Sequence, residues 1–369
     1  MVLRIIGRTL LAVVVVIVAL IAVAGLRMLP AISTPPFHGS DGMVAHNSIA
    51  IIERWRVNGT DQSVIIRGRD RVNPVLLFVH GGPGSSETAP LRRFDAALED
   101  HFVVVYWDQR YAGQSFDSKL PIPEGLTIRQ YVDDLGVVVD RLRARFDRDR
   151  VGILAHSWGT VPGILYAEEN PQKLYAYVGV GQVANVPESE KRSYAFALHE
   201  ARVRHVAKAV AELERLGPPP RATGTVFTPR GWLETFGGAF HGNMTYMKLI
   251  AQSLGQREAN WRDLVAFWSS STYSNKMLQT EFAHFVIDDR PHEFFTPIFL
   301  LSGRYDQQSE ATVAHHFFER VTAPHKVFVW FENSAHNPPF EEPKAFTDWI
   351  SSNVAPLGDR GRGGPVRSH

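Results

Sequence analysis

Residues Val151–Thr160, Val-Gly-Ile-Leu-Ala-His-Ser-Trp-Gly-Thr, constrain the fold more than any other stretch of the chain. An apolar strand runs straight into His156-Ser157-Trp158-Gly159, and a helical pattern starts at once, Val161 through Glu169. This strand–turn–helix order is that of a nucleophile elbow, a sharp turn that lifts a serine hydroxyl above the edge of a parallel sheet. Ala155 and Gly159 are small, as close packing of strand and helix demands. Taken alone, the segment would also suit a serine capping an ordinary helix.

A second segment favours chemistry. His80-Gly81-Gly82-Pro83-Gly84 follows Val75–Val79, a short run of β-formers. Glycines let backbone N–H groups approach a ligand, and a His-Gly-Gly loop ahead of an elbow builds half an oxyanion hole. Gly81 and Gly82 are the donors expected there, with the N–H of Trp158 as the other half. A Gly-Gly-Pro-Gly run would also make a plain turn, but its place before the elbow points to function.

An elbow serine needs an acid and then a histidine later in the chain. Pro297–Ser302 reads as a buried strand, and Asp306 stands just past its C-terminal end. Lys326–Phe331 is another strand, and His336 lies in the loop beyond it. Ser157, Asp306 and His336 are therefore expected on three loops at one sheet edge, as nucleophile, orienting acid and general base. Asp288 and Asp289 precede their strand and would lie at its wrong end. His315, His316 and His325 fall in or beside a helical stretch, where packing or solvation explains them.

Reading on from Ile49, strands alternate with helices, which implies a mostly parallel sheet covered on both faces. A hairpin, Ile51–Val57 and Ser63–Arg67, turns at Asn58-Gly59. Further strands are expected at Val75–Val79, Phe102–Trp107, Val151–Ala155, Tyr175–Gly179, Pro297–Ser302 and Lys326–Phe331. Helices are expected at Leu91–Glu99, Ile128–Phe146, Trp158–Glu169, Glu310–Val321 and Pro343–Asn353. Between about Gly181 and Thr296 no strand is evident. Tyr194, Leu198, Ala201, Val206, Val210 and Leu213 recur there at helical spacing until Gly217-Pro-Pro-Pro220 stops them. Trp232, Phe236, Phe240, Tyr246, Trp261, Phe267, Trp268 and Tyr273 follow, most of them packing a helical cap and a few facing a cleft over Ser157.

With these motifs on the page, the chain resembles the α/β-hydrolase fold family, in its proline iminopeptidase (prolyl aminopeptidase) branch. The resemblance rests on His80–Gly84, on Trp107-Asp-Gln-Arg-Tyr-Ala-Gly-Gln-Ser115, on His156-Ser-Trp-Gly159, and on Asn333-Ser-Ala-His336 with Pro339-Phe-Glu-Glu-Pro343. It spans about residues 45 to 355. Tyr111, Ala112 and Ala155 depart from the family pattern, where glycine and serine commonly follow Asp-Gln-Arg and glycine opens the elbow. The resemblance implies removal of an N-terminal residue, typically proline, from peptides through an acyl-enzyme and without a metal or other cofactor. It also places an ammonium-binding glutamate near the start of the cap, where Glu188 and Glu190 stand, with Glu281 a further candidate. Acids at a helix start and beside Lys191 and Arg192 equally suit a solvated surface.

The composition narrows the alternatives. Acidic and basic residues number 38 and 39, so no electrostatic footprint for nucleic acid is visible. There is no cysteine, which excludes a thiol nucleophile, a thiolate zinc site and disulfides. The fifteen histidines are scattered without a His-Glu-x-x-His spacing. Near the start, eighteen uncharged residues, Thr9 to Leu26, lie between Arg8 and Arg27. As a helix they would rise about 27 Å, close to the roughly 30 Å of bilayer hydrocarbon. Arg4 and Arg8 ahead of the run predict a single-pass membrane anchor with the catalytic part outside the cytoplasm. The competing reading is a signal cleaved after Ala22-Val23-Ala24, leaving a secreted or periplasmic protein.

The expected organisation is an anchor or signal segment over 1–30, a core over 31–183, a helical cap over 184–295, the rest of the core over 296–356, and a disordered tail over 357–369 with Gly and Arg but no periodicity. The expected activity is a serine aminopeptidase releasing proline or another apolar residue. A carboxylesterase or lipase-like hydrolase of small or lipid esters is the alternative, and a non-enzymatic binder on the same scaffold is the outsider. Nothing in the residues bears on oligomeric state.

Overall fold

The computed structural model describes residues 13–21, 34–117, 125–221, 227–258, 274, 276, 278, 280–287 and 291–358. Strands β1 (Ile49–Val57) and β2 (Thr60–Gly68) form the expected antiparallel hairpin. Its two-residue turn puts Asn58 at φ 41° and Gly59 at φ 83°, the positive angles that match hairpin twist. Five further strands join it in chain order: β3 (Val75–Val79), β4 (Val103–Trp107), β5 (Val151–His156), β6 (Leu174–Val180) and, after a pair described below, β8 (Ile298–Gly303). With β10 (Lys326–Phe331) they complete an eight-stranded sheet in the order β1-β2-β4-β3-β5-β6-β8-β10. Every pairing from β4 onward is parallel. Strands β3, β4 and β5 are buried at every residue, as parallel strands covered on both faces must be.

Helix α1 (Thr88–Phe94) precedes β4, α2 (Ile128–Phe146) precedes β5, and α3 (Thr160–Glu169) follows the elbow. Helix α2 shows why these segments fold. Tyr131, Leu135, Val138, Val139 and Leu142 recur at helical spacing and are buried against the sheet. Thr127 and Gln130 close a reciprocal capping box at its start. The expected helix over Leu91–Glu99 is instead α1 plus a separate 3-10 turn, Ala96–Asp100, broken at Asp95.

Between β6 and β8 the described residues include four helices: α4 (Val186–Val203), α5 (Ala207–Leu216), α6 (Arg230–Thr235) and α7 (Tyr246–Ser253). This region is not wholly strand-free. Val286 bridges Asn185, and β7 (His292–Glu293) pairs in parallel with β9 (Val321–Thr322) in a small separate sheet. Two-residue strands carry too little alternation to be seen in sequence. The last helices of the described residues are α8 (Ala311–Arg320), the short α9 (Pro338–Glu341) and α10 (Pro343–Asn353), followed by a 3-10 turn, Ala355–Leu357.

The expected membrane anchor is not upheld. Among the described residues no helix is long and apolar enough to cross a membrane. Residues 9–12 and 22–26 of the apolar run, the cleavage candidate Ala22-Val23-Ala24 included, lie outside the described residues, as do residues 359–369 of the expected tail.

Candidate active site

Ser157 leaves β5 and opens a single 3-10 turn, Ser157–Gly159, that leads into α3. Its φ of 51° lies in the left-handed region, which costs a non-glycine residue roughly 1–2 kcal/mol. Helix and neighbouring strand meet closely because position 159 has no side chain: a Cβ there would lie 2.1 Å from the Val79 carbonyl oxygen.

The three expected side chains converge. Ser157 Oγ lies 2.8 Å from His336 Nε2, and His336 Nδ1 lies 3.0 Å from Asp306 Oδ2. Asp306 is fully buried. The Ser309 hydroxyl donates to its Oδ2 at 2.6 Å, and the N–H groups of Gln308 and Ser309 donate to its Oδ1 at 2.7 and 3.1 Å. Burial pushes the Asp306 carboxyl up. The His336 charge and these hydrogen bonds outweigh that, and the group settles below its ordinary value. Gly181, at φ 56°, makes room for the base, since a Cβ there would lie 2.9 Å from His336 Cε1.

The Trp107-Asp-Gln-Arg110 motif braces this centre from behind. Gln109 donates from Nε2 to the His80 carbonyl at 2.7 Å and accepts from the Trp158 indole at 3.1 Å. Asp108 accepts from the hydroxyls of Ser86 and Thr88 at 2.5 and 3.1 Å and from the N–H of Gln114 at 2.8 Å. Arg110 makes a two-pronged pair with the buried Asp134 of α2, at 2.7 and 2.6 Å. Arg110→Ala leaves that carboxylate without its cation and is expected to lower unfolding free energy by about 3–5 kcal/mol, read from the shift in urea midpoint at constant slope.

The two glycines of the His-Gly-Gly loop differ. The Gly81 N–H donates to Glu87 Oε2 at 2.8 Å, so it is already engaged within the protein and does not point a vacant donor at a substrate. Gly82 sits at φ 118°, where a Cβ would lie 2.6 Å from the Gly84 nitrogen. Glu87 Oε1 meets His156 Nδ1 at 2.8 Å, and His156 Nε2 reaches the His336 carbonyl at 3.1 Å. Sequence reasoning did not mark Glu87 and gave His156 only a motif position beside the centre, without a catalytic role.

Ser157, His156 and His336 line a cavity of about 910 Å³ that continues between the sheet edge and the helical insertion. Among the described residues its walls carry five carboxylates, Glu87, Asp108, Glu190, Glu234 and Glu258, against two fixed cations, Arg230 and Lys276. Val186, Phe227, Met247, Ile250 and Phe282 supply apolar surface. Of the expected ammonium binders, Glu190 lines the cavity, buried, accepting from the Thr228 N–H and from Arg230, both at 2.6 Å. Glu188 lies on the other side of α4: it is partly exposed, ion-paired with Arg192 at 2.8 Å, and not among the cavity-lining residues. Glu281 is spent on capping α2, accepting the Ile128 N–H at 2.8 Å. Glu234 is a cavity carboxylate that sequence reasoning missed, and burial raises its pKa.

The rival residues stand apart. On α8 near Glu319, His316 is exposed and His315 is half-buried against Phe328 and Trp330, and Asp288 and Asp289 lie outside the described residues. Among the aromatic residues of the insertion, Trp232 stacks on Phe236 and Phe240 meets Tyr246 edge-on, so they pack one another. Trp261, Phe267, Trp268 and Tyr273 lie outside the described residues.

Comparison with known proteins agrees with this architecture. A family model described as alpha/beta hydrolase fold matches residues 74–343. A probable aminopeptidase, YbaC, from Bacillus subtilis is 31% identical over 310 residues, which are 83% of this chain and 97% of that protein. A proline iminopeptidase from Heyndrickxia coagulans is 24% identical over 277 residues, 73% of this chain and 87% of its own. Among solved structures, a proline iminopeptidase-related protein from Thermus thermophilus superposes with a TM-score of 0.59 at 20% identity, covering 84% of this chain and 99% of that one. The chain belongs to the α/β-hydrolase fold family and is proline iminopeptidase-like.

Proposed function

We propose that this hydrolase is a serine aminopeptidase that releases proline or another apolar residue from the free N-terminus of peptides. The observation that carries this reading is the unbroken hydrogen-bonded chain Ser157–His336–Asp306 at the wall of an acid-rich cavity. Ser157 attacks the scissile carbonyl while His336 Nε2 takes its proton. His336 then gives that proton to the leaving amine, and water repeats the cycle on the acyl-enzyme. Asp306 keeps the Nδ1 proton facing itself, so Nε2 presents a lone pair to the serine. The N–H groups of Trp158 and Gly82 are the donors assigned to the developing oxyanion. Gly81 supports that loop through Glu87 rather than donating to the substrate.

Substrate choice follows from charge. With Glu87 paired to His156 and Glu258 to Arg92, the wall carboxylates left for a free ammonium are Glu234 and Glu190, the latter shared with Arg230, and the apolar wall suits a small hydrophobic side chain. Glu190 is the candidate anchor, with the insertion over 184–295 acting as a cap. The names of the relatives, an aminopeptidase and a proline iminopeptidase, support the same substrate class.

The test compares proline and alanine 4-nitroanilides with their N-acetylated forms and with 4-nitrophenyl esters. A charge-assisted contact contributes about 1.5–3 kcal/mol, so acetylation is expected to lower kcat/KM roughly 10- to 100-fold. Equal turnover of acetylated and free substrates, with faster turnover of esters, would replace the peptidase reading with that of an esterase.

A further inference from the structure

We propose that Glu87 and His156 form a carboxylate–imidazolium pair that positions the catalytic centre by tying its three loops together. The inference rests on Ser157 as nucleophile but concerns residues outside the triad. His156 is fully enclosed and immediately precedes Ser157. Its ring nitrogens face two acceptors: Glu87 Oε1 at 2.8 Å and the His336 carbonyl oxygen at 3.1 Å. A carbonyl can only accept, so Nε2 carries a proton. The proton between Nδ1 and Glu87 belongs to the imidazole, because the other Glu87 oxygen accepts the Gly81 N–H, a bond that favours the ionised carboxylate.

One ion pair thus touches the loop after β3 through Gly81, the elbow through His156 itself, and the base loop through the His336 carbonyl. These segments are far apart in sequence, and no main-chain hydrogen bond between them could hold all three at once. His156 and His336 lie with ring centroids 5.3 Å apart, and Phe340 covers another side of the His156 ring edge-on at 6.0 Å. A change in the protonation of His156 therefore acts on the main chain of the base.

The charged and titratable groups facing His156 are Glu87, Asp306 and His336, and those facing Glu87 are His156, His80 and, from α7, Tyr246. Burial works against the His156 cation, but Glu87, the His336 carbonyl and Asp306 outweigh it, so His156 holds its proton above the ordinary histidine range. Burial likewise opposes the Glu87 anion, and His156 with the Gly81 N–H brings that carboxyl below its usual value. His80 does not compete for this role. Its Nε2 accepts the Gln109 N–H at 3.1 Å, and burial drives its pKa down, keeping it neutral. The sign is definite: a histidine whose folded pKa is raised contributes fully at low pH and loses its contribution as pH rises through that value. The pair accordingly predicts an alkaline limb in the activity profile, set by His156.

Two measurements on the full-length protein decide the matter. In a 1H–15N correlation of the imidazole groups, with the His156 signals assigned by their loss in His156→Asn, both ring nitrogens are expected to be protonated at about pH 6.5, the ordinary histidine value, where an unperturbed imidazole is half deprotonated. A single unprotonated His156 nitrogen would overturn the inference without requiring any variant to be active. In parallel, fluorophosphonate inactivation rates are compared for the parent, Glu87→Gln, His156→Asn and the double variant. Each single change is expected to slow inactivation roughly 10- to 100-fold, as loss of an orienting partner does. The double change should cost no more than the worse single one, and the alkaline limb should vanish in all three. Parent-like rates with an intact alkaline limb in both single variants would refute the pair's role. Unaltered labelling of Ser157→Ala would instead remove the nucleophile assignment, and the nitrogen spectrum would still judge the pair.

Discussion

Replacing Ser157 with alanine is expected to lower turnover on the order of 10⁶-fold and to abolish covalent labelling by a fluorophosphonate. The size of the loss follows from the geometry. With no Oγ at 2.8 Å from His336 Nε2, the imidazole has no proton to take and the carbonyl no attacking atom. What survives is the contribution of substrate binding and oxyanion donors, roughly 10³–10⁴ over water in comparable centres. Stability should change little. Alanine keeps the same positive φ of 51°, so the strained elbow remains and only a partly exposed hydroxyl is lost. Ser157→Gly separates the two effects, because it is equally without a nucleophile yet relieves the left-handed strain and should gain about 1 kcal/mol. Intact-mass labelling, steady-state kinetics and thermal unfolding of both variants check this. Turnover within about tenfold of the parent in Ser157→Ala would exclude Ser157 as nucleophile.

The sheet was legible because its inner strands are buried on both faces. Val75–Val79 has the bounds read from its uninterrupted apolar run, since such a strand needs no alternation to be seen, and the half-buried edge strand Lys326–Phe331 was legible from its β-branched and aromatic residues. The triad was legible for a different reason. Each member sits in the first loop past a strand's C-terminal end, so a local reading of strand and turn locates it without any knowledge of distance. Pairing across the chain left no such mark. Glu87 and His156 lie 69 positions apart, and nothing local in either predicts a 2.8 Å contact. The engagement of the Gly81 N–H was hidden for the same reason. Glu188 and Glu190 show the converse, a signal present but unused. Two residues apart on one helix they point to different sides, so both could not face one cavity.

Asp306→Asn is expected to reduce kcat by about 10⁴ while leaving the fold intact. The carboxylate accepts four hydrogen bonds, from His336 Nδ1, the Ser309 hydroxyl, and the Gln308 and Ser309 N–H groups. An asparagine oxygen can keep the two backbone donors, which then turns the side-chain NH2 toward Ser309 and His336. His336 Nδ1 must now accept, Nε2 acquires the proton, and the base faces Ser157 with an N–H instead of a lone pair. The defect is therefore one of tautomer, which predicts lost kcat with little change in KM. The stability profile carries an independent sign. A carboxyl whose folded pKa lies below its ordinary value stabilises the protein above the ordinary range and loses that contribution as pH falls through the folded value. The parent's unfolding free energy should thus decline over that acid interval, and Asp306→Asn, with nothing to protonate there, should show a flatter decline. A variant that retained parent-like kcat would break the proposed proton path. Among the described residues the other group near enough to hold the Nδ1 proton is Ser309, whose hydroxyl lies 3.4 Å away and is itself oriented by Asp306.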